Sequence, residues 1–471
     1  MMRKLLGQEV RRPAWVREHP YAPWAAVGAV CLGAFMGQLD ASIVTLAFPS
    51  MESEFGAGLA AVQWVSLSYL AVLAVLLIPV GRLSDAHGRK LLYVYGFVVF
   101  TAASVACGLA PNLAWLVVGR GVQAVGAALL QANSVALVVG SVGNDRARTA
   151  LGVQAAAQAL GLAMGPAVGG ALIAWLGWRS VFLVNLPVGV VAVVAALVLL
   201  PRTRHRNPSV GSDVPGNVLL AVTVLASLAT LSLLAGTGLP RLEILATAAL
   251  AVVAGWVFWR TESRAAAPLV PPERLRTRGV GVGLVGALLG YLVLFGPLVL
   301  YPLLFSTWGV STSRGGLVLT CLPAGFAVAA VVGGRIGQGV GNETRVIVGS
   351  LVAAAGALGQ AFVWDRPLAV GGLLIIMGMS LGVVLPANNA MVMTAVPPSV
   401  AAATGGMINV ARAAGTSLGV AVTSVGVAVA GTLRVGSAPL VLAGLVAAAV
   451  LMAGTGHRGR GAVNERTGAK T

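Results

Sequence analysis

From residue 24 onward the chain alternates long unbroken apolar stretches with short polar ones. Each stretch is around 20 residues long, enough to cross about 30 Å of hydrocarbon as a helix rising 1.5 Å per residue. The runs are continuous and do not alternate at every second position, which predicts helices and argues against a β-barrel. Fourteen spans are expected, at about 24–49, 60–80, 91–110, 113–141, 149–175, 180–200, 214–236, 241–260, 280–306, 315–334, 344–363, 367–391, 402–430 and 437–454. The expected fold class is an all-α polytopic membrane protein.

The pattern repeats. Between the second and third spans stands Gly-Arg-Leu-Ser-Asp-Ala-His-Gly, from Gly81 to Gly88; between the tenth and eleventh stands Gly-Arg-Ile-Gly-Gln-Gly-Val-Gly, from Gly334 to Gly341. Ala132-Asn133 in the fourth span is answered by Ala387-Asn388 in the twelfth. Two six-helix bundles are therefore expected, over 24–200 and 280–454, of the kind that rock about a central site. Residues 201–279 form a linker with two extra spans and a Pro- and Arg-rich loop over 261–279. Residues 1–23 read as a retained N-terminal segment. They are charged, contain proline and lead into a span with no A-x-A exit, unlike a cleaved signal. Residues 455–471 read as a polar tail.

Charge fixes the orientation. Only 10% of the residues are charged, against about 25% in soluble domains. The net charge of +17 is concentrated in alternate loops; among Lys and Arg, only Arg179, Arg241, Arg314, Arg366 and Arg434 fall in the others. Under the positive-inside rule both termini are cytoplasmic, and the excess charge is a topology signal that calls for no nucleic-acid partner. Cys31, Cys107 and Cys321 are widely spaced within spans, giving neither a disulfide framework nor a metal site. There is no P-loop and no H-E-x-x-H, and His19, His87, His205 and His457 all lie outside the spans. An enzyme is not expected, and no metal or other cofactor is required.

The candidate chemistry is one acid. Asp40 is the only carboxylate well inside a span, where the loss of hydration makes charge expensive. It lies about nine residues, or roughly 13 Å, from the outer end of its span, and Arg120 lies about 10 Å down the fourth, so the two can share a layer. A proton carried by Asp40 and released with the help of Arg120 is one reading; a static ion pair is the other. Arg412, near the middle of the thirteenth span, can meet a polar or anionic substrate group or bond carbonyls of a broken helix. Gln38, Gln63, Trp64, Tyr69, Gln131, Asn133, Gln154, Gln158, Asn388, Asn389 and Asn409 are candidate pocket-liners, with helix–helix bonding as the alternative for each. In the cytoplasmic loop, Gly81, Asp85, Gly88 and Arg89 suit a latch: the glycines permit close approach, and Asp85 can accept from Arg89 or a helix N-terminus.

Several of these stretches together resemble the major facilitator superfamily, in particular its fourteen-span drug:proton antiporter branch. They are Leu39-Asp40-Ala41-Ser42-Ile43-Val44 with Pro49; Gly81 to Lys90; Arg120-Gly121-Val122-Gln123 with Gly126; Gly161-Leu-Ala-Met-Gly165-Pro166-Ala-Val-Gly169-Gly170; and Trp178-Arg179 with Phe182, Asn185, Pro187 and Gly189. The chain departs from the pattern at Ala86, where a basic residue is usual, and at Ala124. The resemblance implies a major-facilitator-type fold of fourteen helices, with the two bundles related by a pseudo-two-fold axis and two extra helices between them. It also implies that the fifth-helix segment is that of an exporter. The expected function is proton-coupled export of small, largely apolar compounds, such as drugs or antibiotics, by alternating access. The protein would act as a monomer in the inner (plasma) membrane, its partners being the lipid bilayer, protons and a small-molecule substrate. An importer or metabolite transporter of the same fold, and a non-transporting sensor or scaffold, remain the alternatives.

Overall fold

The structure, a computed structural model, describes residues 9, 11–142, 144–203, 214–235, 241–265, 278–332, 340–363, 366–395, 401–433 and 441–455. Among them all regular structure is helical. The long helices are α1 (Ala22–Ile43), α2 (Trp64–His87), α3 (Arg89–Gly108), α4 (Leu113–Val142), α5 (Asn144–Leu176), α6 (Asn185–Leu199), α7 (Val214–Ala235), α8 (Arg241–Glu262), α9 (Arg278–Thr307), α10 (Thr312–Val332), α11 (Asn342–Gln360), α12 (Pro367–Thr394) and α13 (Ala401–Leu433). A shorter α14 covers Val441–Thr455.

Among the described residues, 12 helices are long and apolar enough to cross a membrane, where fourteen were expected. The two that do not qualify are α11 and α14. The first opens on a polar turn with Glu343 and Arg345, and the second is described only over Val441–Thr455. Two boundaries also move. The first span runs on to Phe55 instead of ending near 49: the chain tightens to a 3₁₀ turn over Val44–Ala47 and resumes as Phe48–Phe55, with Pro49 in its first turn. Proline is well placed there, since a first-turn N–H has no helical partner to lose. The expected cytoplasmic loop at 81–90 is almost all helix. α2 continues through His87, and Gly88 alone, at φ 114°, makes the corner into α3. That φ favours glycine strongly.

The packing follows the repeat. α1 lies against α5 and α4, and α9 against α13 and α12. α3 and α2 pack on α4 just as α11 and α10 pack on α12. Contacts between the two sets run mainly through α5 with α10 and α2 with α13, pairs that exchange under the same offset, with α9 also against Val44–Ala47 and Phe48–Phe55. α7 sits on α2 and α13 and carries α8 on its outer side. Only 17% and 6% of the apolar windows of α7 and α8 are buried, against 67% for the first span, which puts these two helices on the periphery.

The N-terminal segment clasps one end of this assembly. Glu9, buried, accepts hydrogen bonds from the amides of Leu91 (3.4 Å) and Thr203 (2.7 Å) and from the Thr203 hydroxyl (2.7 Å). A carboxylate is well suited to the open amides of a helix N-terminus. At the C-terminus of α6 the polarity is reversed. Lys90 Nζ donates to the carbonyls of Leu197 (2.8 Å) and Leu200 (2.7 Å), and Arg12 Nε donates to that of Leu199 (2.7 Å).

Candidate functional site

Asp40 and Arg120 meet. The last turn of α1 and the second turn of α4 bring Arg120 Nη1 to 2.6 Å from Asp40 Oδ2, with the carboxylate 0% and the arginine 1% exposed. A buried pair of this kind is tolerated only when its remaining donors and lone pairs are satisfied, and here they are supplied from several helices. Arg120 Nη1 also donates to Gln123 Oε1 (2.6 Å), and Nε donates to the Val65 carbonyl of α2 (2.9 Å). Gln123 Nε2 donates to Asp40 Oδ1 (2.9 Å) and Ser104 Oγ (3.2 Å). Asn185 Nδ2 donates to the same two oxygens at 3.3 and 2.9 Å. Ser104 Oγ donates to the Phe182 carbonyl (2.9 Å). The guanidinium lies over the Tyr69 ring at 4.2 Å, a cation–π arrangement that is strongest without water. The Tyr69 hydroxyl is buried and has no hydrogen-bond partner among the described residues.

Gln123, Ser104 and Asn185 complete the network beyond the residues the sequence singles out. Gln123 is legible from sequence, since a residue three along from Arg120 lies on the same helix face. Asn185 lies in the 178–189 segment, where sequence gives it no partner. Ser104 carries no signal, being one hydroxyl in an apolar helix.

Around this network α5 is locked to α1. A side chain at Gly161 would run into the Phe35 carbonyl, one at Gly165 into Ser42, and one at Gly169 into Ile43. The opposite flank of the same helix meets α10: a Cβ at Gly170 would lie 2.8 Å from the Thr312 carbonyl, and one at Gly316 would strike the carbonyl of Pro166. α5 itself runs unbroken through Pro166. Five small or kink-prone residues thus let one helix touch the carboxylate-bearing helix and the other helix set simultaneously. At the same end of the bundle, Glu54 accepts from Trp178 Nε1 (2.6 Å) and pairs with Arg179 Nη1 (2.7 Å).

Toward the other end α4, α5 and α13 part around a cavity of about 150 Å³. It gathers Gln131, Gln154, Gln158, Asn409 and Arg412 from the candidate pocket-liners, together with Ser134. A larger dent of about 400 Å³ beside Trp256 and Arg260 lies on the outer flank of α8, far from the polar network. The other candidates lie elsewhere. Gln63 and Trp64 donate to Ser232 of α7, at 3.1 and 2.8 Å, and so dock the peripheral helix. Asn133 donates to Ser84 (2.8 Å) and Asn388 to the Gly283 carbonyl (2.8 Å), each joining two helices. Tyr69 lies under Arg120, Gln38 is half-buried on α1, and Asn389 keeps a buried oxygen with no hydrogen-bond partner among the described residues. Of the segment 81–89, Gly81 has open space beside it and Gly88 makes the corner. The side chain of Asp85 and residues 333–339 of the second copy lie outside the described residues.

Comparison with known proteins agrees with this architecture. The sequence model described as "Major Facilitator Superfamily" matches residues 30–420. The tetracenomycin C resistance and export protein of Streptomyces glaucescens is 32% identical over 86% of this chain and 76% of its own length. The methylenomycin A resistance protein of Streptomyces coelicolor is 31% identical over 85% of this chain and 84% of its own. Among solved structures, a POT family transporter in complex with a thioalcohol-conjugated peptide superimposes with a TM-score of 0.66 over 91% of this chain and 94% of that one. At 13% identity it speaks for the fold alone. The matched proteins are multi-pass membrane transporters, not enzymes.

Proposed function

Since the chain belongs to the Major Facilitator Superfamily, we propose that it is a proton-coupled exporter of small, largely apolar compounds, with Asp40 as the proton carrier and Arg120 as its partner. The observation that carries this reading is the sealed carboxylate network of Asp40, Arg120, Gln123 and Asn185 inside the membrane-spanning helices. Taking up a proton removes the charge that Arg120 pairs with. A buried guanidinium without its counter-ion is penalised by about 3–5 kcal/mol, so protonation favours a rearrangement of α1 against α4. Because α1 is interlocked with α5 and α5 with α10, that rearrangement has a mechanical route to the other helix set. Export is supported by the resistance and export names of relatives at 31–32% identity. One proton crossing 100 mV supplies about 2.3 kcal/mol, enough for a concentration ratio of some tens-fold.

The same reading assigns the topology. α11 and α14 cross the membrane as the remaining two of fourteen spans, giving the architecture of the drug:proton antiporter branch. The halves 24–200 and 280–454 form two pseudo-symmetric bundles, with α7 and α8 as additions between them. Both termini lie in the cytoplasm of a cell whose inner membrane holds the protein as a monomer. The helix sets touch through Pro166, Gly170 and Gly316, and the polar cavity is lined by α4, α5 and α13; on this reading the contact lies at the outer end and the cavity serves the cytoplasmic side. The corner at 81–90 acts as the latch of the opposite, outward-facing state.

Expression in an efflux-deficient bacterium, screened against a panel of toxic compounds, tests the proposal. Resistance to at least one compound, abolished by a protonophore and by Asp40→Asn, is expected. Resistance untouched by both refutes proton coupling; no resistance to any compound favours a sensor or scaffold.

A further inference from the structure

We infer that the cavity between α4, α5 and α13 selects its substrate by negative charge, taking a small organic monoanion whose acidic group pairs with Arg412. This rests on the transport reading above and names the class of compound it acts on.

The two arginines inside the spans are treated very differently. Arg120 is sealed with a carboxylate at 2.6 Å. Arg412 is half-buried on the cavity wall, and its described partners are both neutral. Nη1 donates to Asn409 Oδ1 at 3.3 Å, one turn earlier on the same helix, and the guanidinium lies over the Tyr291 ring at 4.8 Å. Among the described residues no carboxylate pairs with it. A guanidinium inside a span calls for a counter-charge, and the described lining of the cavity offers none.

The rest of the lining points the same way. Gln131, Gln154, Gln158 and Ser134 are neutral groups able to donate hydrogen bonds, and Val135 and Leu151 supply apolar wall. A cation entering here meets an uncompensated like charge. A zwitterion finds a partner for its acid and none for its ammonium. Asp40 cannot serve as that partner, because it is fully buried and its two oxygens are committed to Arg120, Gln123 and Asn185. A monoanion completes the site. Tyr291 steadies one face of the guanidinium and Asn409 one nitrogen, which leaves the other N–H edge for a planar carboxylate or phenolate.

Three probes with one ring system and different heads read this directly: 2-naphthoate (negative), 2-naphthamide (neutral) and 2-naphthamidine (positive). Equilibrium binding is measured on the full chain purified in detergent. Naphthoate is expected to bind at least about tenfold tighter than naphthamide, with naphthamidine weakest. Arg412→Gln brings naphthoate down to the affinity of naphthamide and leaves naphthamide within about twofold, as expected for loss of a charge-assisted bond alone. Arg412→Lys keeps the order with a smaller gap. The inference is overturned if naphthamide or naphthamidine binds as well as naphthoate, absence of detectable naphthoate binding included, or if Arg412→Gln keeps the full preference. Because binding in detergent involves no gradient, the two proposals separate. Naphthoate bound through Arg412 but not moved by a pH gradient in proteoliposomes spares the charge assignment and removes proton-coupled export. Proton-driven efflux of other compounds without any preference for the anion removes only the charge assignment.

Discussion

α4 and α12 occupy matching places in the two helix sets, and they have been put to different uses. At the offset that carries Asn133 to Asn388, Arg120 falls on Ile375 and Gln123 on Gly378. In the first set those positions hold a guanidinium and an amide that satisfy a buried acid. In the second, a side chain at Gly378 would run into the Leu322 carbonyl, so the helices close backbone to backbone. α5 and α13 show the opposite relation: both meet their partner through glycine, with Gly161 and Gly165 against α1 and Gly415 against the Leu288 carbonyl of α9. The repeat thus keeps glycine-mediated helix contacts in both halves and the buried Asp40–Arg120 pair in one. On the proposed mechanism, rocking would use the matched contacts of both halves, and a single ionisable centre would suffice to couple it to a proton.

The largest effect should come from the unshared feature. Asp40→Asn is expected to lower proton-driven transport by about 100-fold or more in vesicles while leaving the folded protein monodisperse, since the amide keeps the size and part of the bonding. Arg120→Gln alone should destabilise by about 3–5 kcal/mol, because it leaves a buried acid unpaired. The double substitution Asp40→Asn with Arg120→Gln should regain much of that stability, read by thermal unfolding in detergent, and none of the coupling. Stability and coupling that return together would mark the pair as a static strut. The shared feature comes next. Gly165→Leu and Gly415→Leu, one in each half, should each reduce transport by about tenfold or more, since the added side chain forces packed helices apart. A large loss from one and none from the other breaks the matched-contact picture. The smallest effects belong to single neutral bonds. Asn133→Ala, Asn388→Ala and Ser232→Ala should each lower stability by about 1 kcal/mol and change transport less than threefold.

Much of this was legible in the residues, for physical reasons. Apolar runs dictate helices because backbone groups have no water to bond in hydrocarbon. An acid and an arginine at similar depth narrow the search for a partner to one pair. Other features were hidden. The fourteen-span count meets twelve qualifying helices among the described residues, because α11 opens on a polar turn and α14 is described only over Val441–Thr455. Asn185 and Ser104 join Asp40 only through the packing of α3 and α6. Polar residues are ambiguous singly: Gln63 and Trp64 bind Ser232 of a peripheral helix, whereas Gln154 and Gln158 face the cavity. Composition is the same in both cases, and the direction each side chain takes is set by neighbours far along the chain. Lys90, in a segment expected to be a loop, is buried and seals the end of α6.

A monoanionic substrate would also alter the energetics. An anion leaving as a proton enters moves about two charges down the membrane potential, or about 4–5 kcal/mol per 100 mV, twice the drive available to a neutral compound.

The most direct test of the central claim counts protons. The full chain and its Asp40→Asn variant are reconstituted in vesicles enclosing a pH-sensitive dye, and the compound to which the chain confers the greatest resistance is applied as a gradient. The account predicts a proton flux opposite to the compound in the unaltered chain and, in the variant, compound movement without it. A proton flux of equal size in the Asp40→Asn variant would contradict it.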